Sequence, residues 1–175
     1  MATVVFMRGV NVGGHRPFRP AAFAKQLSAF DVVNVGAAGT FLVQKSVSQA
    51  KLREEIARRL PFEAELMICR ARDIADLVSA DPFPLEASAD GVRRYVSVLA
   101  RRPRRKPDLP IRHPRDGEWQ VKVVGLRGRF ALSLWRRTGK SMVYPNEVLE
   151  KKLAISATTR NWQTILKVHA ILQTD

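Results

Sequence analysis

Thr3-Val4-Val5-Phe6-Met7 is a run of apolar, mostly β-branched residues that stops at Arg8 and Gly9, the pattern of a strand entering a turn. Pro20 suits a first helical turn, and Phe23, Leu27 and Phe30 follow it at helical spacing. Val32, Val33 and Val35 predict a second strand, and Thr40 to Val43 a third after Gly36 and Gly39. Ser48 stands where a helix cap belongs, ahead of Leu52, Ile56 and Leu60 on one face. The opposite face carries Glu54–Arg58 and Glu55–Arg59, i,i+4 pairs in the favoured order. Glu65 to Arg70 predicts a fourth strand, and Ile74, Leu77 and Val78 a short helix. The order β-α-β-β-α-β is that of a ferredoxin-like unit, an antiparallel sheet with both helices on one face. One buried helix layer against one sheet explains a single apolar stripe per helix.

The segment from Asp81-Pro82-Phe83-Pro84 to Asp90-Gly91 interrupts this pattern and divides the chain into halves, 1–90 and 91–175. Beyond it, Tyr95 to Leu99 predicts a strand, and a Pro-punctuated stretch from Arg101 to Gly117 predicts a long irregular loop. Trp119, Val121 and Val123 alternate with Gln120 and Lys122, as in a half-exposed strand. Gly125-Leu126-Arg127-Gly128 predicts a hairpin turn into a strand from Phe130 to Trp135. A last helix is expected to begin near Thr158, with Trp162, Ile165, Leu166, His169 and Leu172 on one face. The expected fold class is therefore α+β: a ferredoxin-like half packed with a second, smaller α+β half.

Composition narrows the class further. The chain has 175 residues, 46% hydrophobic and 26% charged, which is globular and excludes collagenous or disordered classes. The apolar opening is too short for a secretory signal and has no basic segment before it, and roughly 18 apolar residues never run together as a membrane span requires. The single cysteine, Cys69, excludes an internal disulfide and fits a reducing compartment. These features lead us to expect a cytoplasmic protein with neither a membrane nor a disulfide-linked partner.

Charge changes the picture most. The formal net charge is +14, yet residues 91–140 hold 15 basic and 3 acidic residues, so fifty residues carry almost the whole excess. Arg101, Arg102, Arg104, Arg105 and Lys106 crowd one strand end, with Arg127 and Arg129 in the hairpin. Such clustering is the electrostatic footprint of a nucleic-acid binder, and Trp119, Phe130 and Trp135 lie near enough in sequence to offer stacking surfaces. The competing reading is a solvated loop in an arginine-rich chain.

Two further segments could hold an anion. The glycine-rich turn after the first strand offers Arg8, Asn11, Gly13 and Gly14, whose backbone amides can face a negative charge. Its spacing matches neither the dinucleotide fingerprint nor the P-loop. Thr158, Thr159, Arg160 and Asn161 open the expected last helix, where free amides favour anions. Both segments can equally be structural. His15, His113 and His169 lack partners at metal-ligand spacing, Cys69 has no activating histidine nearby, and no carboxylate pair is set for acid–base work. No metal or cofactor is expected, and the residues point away from catalysis.

Arg8-Gly9-Val10-Asn11-Val12-Gly13-Gly14, together with Thr158-Thr159-Arg160-Asn161-Trp162 and Thr164, resembles the bacterial domain of unknown function family 1697, along nearly the whole chain. Asp81-Pro82-Phe83 stands where that family has Asn-Pro-Phe, and Ala38-Gly39-Thr40 replaces its Ser-Gly-Asn. The resemblance implies a two-part α+β protein with a ferredoxin-like first half, implies no reaction, and raises both end motifs as site candidates. The leading expectation is a non-catalytic binder of a phosphate-bearing partner such as nucleic acid. The alternatives are an enzyme or sensor for an anionic metabolite built on the two end motifs, and a purely structural role for both.

Overall fold

The computed structural model describes residues 1–10 and 18–174. The chain forms two compact units, Met1–Asp76 with Leu166–Asp175, and Leu77–Ile165. The change in composition lies further along, at 81–91. The fold class is α+β, with two antiparallel sheets and five α-helices among the described residues.

The first unit is built on β1 (Thr3–Met7), which pairs antiparallel with both β3 (Thr40–Val43) and β4 (Leu66–Arg70), while β2 (Val32–Asn34) lies outside β3. The sheet order is β2-β3-β1-β4, and Val5 stands opposite Phe41 on one side and Ile68 on the other. Two helices, α1 (Pro20–Gln26) and α2 (Gln49–Arg59), bring Phe23, Leu27, Leu52 and Ile56 into one core with Val5, Phe41 and Ile68. The Ser48 Oγ accepts from the Lys51 amide at 3.2 Å and starts α2. The sheet is also buried on its other face, since Val4, Phe6 and Leu42 are fully inaccessible. A strand that is apolar at every position, with no alternation, has two faces to bury, so one helix layer does not describe this sheet.

The charge pairing of α2 differs from the i,i+4 expectation at one position. Glu54 pairs with Lys51 at 3.3 Å instead of with Arg58, because the buried Glu55 carboxylate draws Lys51, Arg58 and Arg59 toward itself. The short helix appears as α3 (Ala71–Ser79).

The second unit holds a five-stranded sheet. Its strands are β5 (Arg93–Leu99), β6 (Ile111–His113), β7 (Val121–Arg127), β8 (Phe130–Trp135) and β9 (Ala157–Asn161), in the order β6-β7-β8-β5-β9. Helix α4 (Pro145–Leu153) packs Val148 and Leu149 against Ile111, Val121, Val123, Ala131 and Trp135. Its start is legible in retrospect: Pro145 occupies the first turn, and Glu147 reaches back to accept from the Tyr144 amide at 3.1 Å.

The stretch 101–117 is not wholly irregular, because β6 pairs Ile111, Arg112 and His113 with β7. The two-residue turn of the hairpin is Gly128-Arg129, since Arg127 already pairs with Phe130, and a bulge between Val123 and Gly125 absorbs Val124. Gln120 is buried and Trp119 only half-buried, the reverse of the alternation read from the sequence. Finally, Thr158 to Asn161 form a strand and not a helix start. The β-branched Thr158 and Thr159 fit a pleated surface and pair with Val98 and Ser97. Helix α5 (Trp162–Gln173) begins only after Asn161, whose Oδ1 accepts from the Thr164 amide at 2.9 Å. The buried stripe of α5 is Trp162, Ile165 and Val168, whereas Leu166, His169 and Leu172 are half-buried. The buried Nδ1 of His169 has no hydrogen-bond partner among the described residues.

Candidate functional site

The basic residues between β5 and β6 are presented by a segment anchored at its root. Backbone bonds join the Leu99 amide to the Arg129 carbonyl at 2.8 Å and the Ala100 amide to the Ser156 carbonyl at 2.8 Å. Arg129 Nε returns a bond to the Leu99 carbonyl at 2.8 Å, so its guanidinium clamps the end of β5 onto the hairpin. Beyond this clamp Arg101, Arg102, Arg104, Arg105 and Lys106 are all exposed. Prolines at 103 and 107 punctuate the run and fix φ there.

Two open grooves carry most of this charge. One, of about 510 Å³, is lined by Arg101, Arg104, Arg105, Lys106 and Lys152 over a floor that includes Leu153 and Ile155. Asp108 is the one acidic group among the described residues of its lining. The other, of about 400 Å³, is lined by Lys106 and Arg127 together with Leu109, Leu126 and Leu132. Lys106 belongs to both, so the two grooves adjoin. Arg102 lies against the turn of the β7–β8 hairpin: a Cβ added at Gly128 would sit 3.5 Å from its Nη2. Gly128 itself has φ +61°, a conformation that favours glycine. The tertiary structure thus gathers six of the seven nucleic-acid candidates onto one end of the second unit, and gives the seventh, Arg129, the clamping role. None of those six forms an ion pair with a carboxylate among the described residues.

Four other basic residues of the segment 91–140 make ring or ion-pair contacts. Arg136 lies over the Trp119 ring at 4.1 Å and donates to the Trp119 carbonyl at 2.7 Å. Lys122 pairs with Glu86 at 2.8 Å, Arg93 faces Trp135 at 5.6 Å and Arg94 faces Phe83 at 5.8 Å. The excess charge read from the sequence therefore divides into a structural part and an exposed part. Sequence counting does not separate them, because cation–π partners are set by cross-strand neighbours.

The two anion motifs stand differently. Asn11, Gly13 and Gly14 lie outside the described residues. Arg8 is half-exposed and 3.8 Å from Glu65. Arg160 is 5% exposed, and its Nη1 donates to Thr158 Oγ1 at 2.8 Å and to the Thr159 carbonyl at 2.9 Å. Burial brings its pKa down to about 10, because removal from water disfavours the charged form. Thr159 Oγ1 shares a 2.7 Å hydrogen bond with Ser97. The amides of Thr158 and Thr159 lie in a strand, so they are not the free amides of a helix N-terminus. Asn161 is committed to capping α5 through Thr164.

Cys69 is buried in β4 opposite Val4, and among the described residues no group of three or more His, Cys, Asp or Glu side chains is positioned to hold a metal ion. No helix among the described residues is long and apolar enough to cross a membrane.

No curated protein and no solved structure shows significant similarity to the chain. The family described as "Protein of unknown function (DUF1697)" matches residues 1–126. That span takes in the whole first sheet, the basic segment after β5 and most of β7. It ends before Thr158–Asn161, so the second end motif contributes nothing to the match. Because the match covers well over half of its length, the chain belongs to the DUF1697 family.

Proposed function

We propose that the protein is a non-catalytic nucleic-acid-binding protein that grips phosphates with the basic end of its second unit. The observation carrying this reading is the convergence of Arg101, Arg104, Arg105, Lys106 and Arg127 on two adjoining grooves, with Arg102 beside the hairpin turn at Gly128, all without ion-pair partners among the described residues. Exposed cations held this close repel one another, and a row of phosphates relieves that repulsion while releasing condensed counterions. Lys152, contributed from α4, adds to the same groove. The metabolite-binding alternative draws on Arg160 and Asn161, whose Nη1 and Oδ1 respectively are engaged in bonds within their own segment.

Fluorescence anisotropy with a labelled oligonucleotide tests the reading. Six neutralised phosphates imply a loss of affinity of about 10³-fold between 50 and 200 mM salt. Reversing charge at Arg101, Arg102, Arg104 and Arg105 to Glu should abolish binding, while Arg72→Glu, an exposed change in the first unit, should leave it intact. Unchanged binding by the fourfold variant would sink the proposal.

We also read the first unit as ferredoxin-like. Its β-α-β-β-α-β order and its sheet order β2-β3-β1-β4 support that reading. A reduced, buried Cys69 is in keeping with a cytoplasmic setting.

A further inference from the structure

The sequence places Trp119, Phe130 and Trp135 beside the basic run, as a single-strand binder with stacking platforms would. The tertiary structure spends these rings elsewhere. Phe130 and Trp135 are buried, at 7% and 4% exposure. Tyr144 packs parallel to the Trp135 ring with centroids 6.5 Å apart. Trp119 has the Arg136 guanidinium over its face at 4.1 Å. Among the described residues neither basic groove has an aromatic side chain in its lining; their apolar parts are proline, leucine, isoleucine, valine and glycine.

A nucleic acid bound there meets cations and aliphatic surface but no aromatic ring on which a base can stack. Without aromatic platforms, affinity rests chiefly on phosphate neutralisation, and that term depends on the density of phosphates presented. A duplex carries one charge per roughly 1.7 Å of axis, about twice the density of either strand, and each contact releases more counterion, about 0.9 against 0.7. Its two phosphate rows are also held rigidly. An extended single strand must be ordered on binding, with no aromatic stacking to offset that cost.

From these facts we infer that the partner is a duplex, held by its sugar–phosphate backbones without reading of base sequence. The inference rests on the nucleic-acid reading above and fixes the class of nucleic acid. The experiment compares three probes of equal length at about 100 mM salt: a 24-base-pair DNA duplex, its separated strand, and a duplex of scrambled sequence. The expected result is binding to both duplexes with equal affinity, and to the single strand at least about tenfold more weakly. Tryptophan emission should stay unquenched on saturation with either form, because no base reaches Trp119, Trp135 or Trp162. Single-strand binding as tight as duplex binding, or saturable quenching by the single strand, would overturn the duplex inference and leave nucleic-acid binding standing. Discrimination between the two duplexes would overturn the claim of backbone-only contact. Absence of binding to all three probes would overturn the functional proposal itself, and the duplex inference with it.

Discussion

Gln120 is the residue on which the second unit makes its sharpest energetic demand. Its side chain is 2% exposed, yet it lies just ahead of β7 where the alternation of the sequence points outward. Its Nε2 donates to the Ser141 carbonyl at 2.8 Å, with a longer approach to Thr138 at 3.4 Å. Its Oε1 accepts from the Val143 amide at 2.7 Å, and the Val143 carbonyl accepts from Trp135 Nε1 at 3.0 Å. One amide therefore ties the segment 138–143 to the sheet, next to the ring that fills the core under α4. Replacing Gln120 by Ala removes two well-formed bonds, each contributing about 1 kcal/mol net, and strands the Val143 amide at a further cost of about 1–2 kcal/mol. The expected loss is about 3–4 kcal/mol. Gln120→Met keeps the side-chain volume and should still lose about 2–3 kcal/mol, because the polar partners remain unpaired. Urea unfolding followed by tryptophan fluorescence is the assay. All three tryptophans, Trp119, Trp135 and Trp162, fall within Leu77–Ile165, so the signal reports this unit. A loss below about 1 kcal/mol in both variants would refute the reasoning, since it would mean that water satisfies these groups as well as Gln120 does.

Two further outcomes follow from the same structure. The Glu55 carboxyl is held down to about 2 by its hydrogen bonds with Lys51 and Arg59. A folded value below the unfolded one, 4.5, gives stability that is fully present above pH 4.5 and is lost as pH falls toward 2. Glu55→Gln should flatten that acid dependence, measured as urea midpoint by circular dichroism between pH 5 and 2.5; an unchanged slope would refute it. Asn161→Ala removes the cap at the start of α5 and should cost about 1 kcal/mol while leaving oligonucleotide affinity unchanged, whereas a role for Asn161 in ligand binding would lower that affinity.

Much of the first unit was legible because its signals are local. Val32–Asn34, Thr40–Val43 and Leu66–Arg70 are short runs bounded by turn residues, and Ser48 marks a helix start by its own side chain. Thr158–Asn161 misled because capping residues and β-branched residues overlap in threonine. Only a partner strand, here Ser97 and Val98 of β5, decides between helix start and edge strand. Strand β6 escaped notice for a related reason, since three residues among prolines carry too little pattern to outweigh the loop around them.

By itself the sequence determined the α+β class, most strand and helix positions of the first unit, and the concentration of charge between residues 91 and 140. These depend on residue type and spacing over a few positions, which the chain carries locally. Only the tertiary structure decided which charges are free to meet a partner. Arg136 and Lys122 are taken up by Trp119 and Glu86, while Arg101, Arg104, Arg105, Lys106 and Arg127 line two grooves. The same packing withdrew the aromatic rings from the basic surface. Pairing across strands brings together residues distant in the chain, and burial of an aromatic face depends on what lies opposite it.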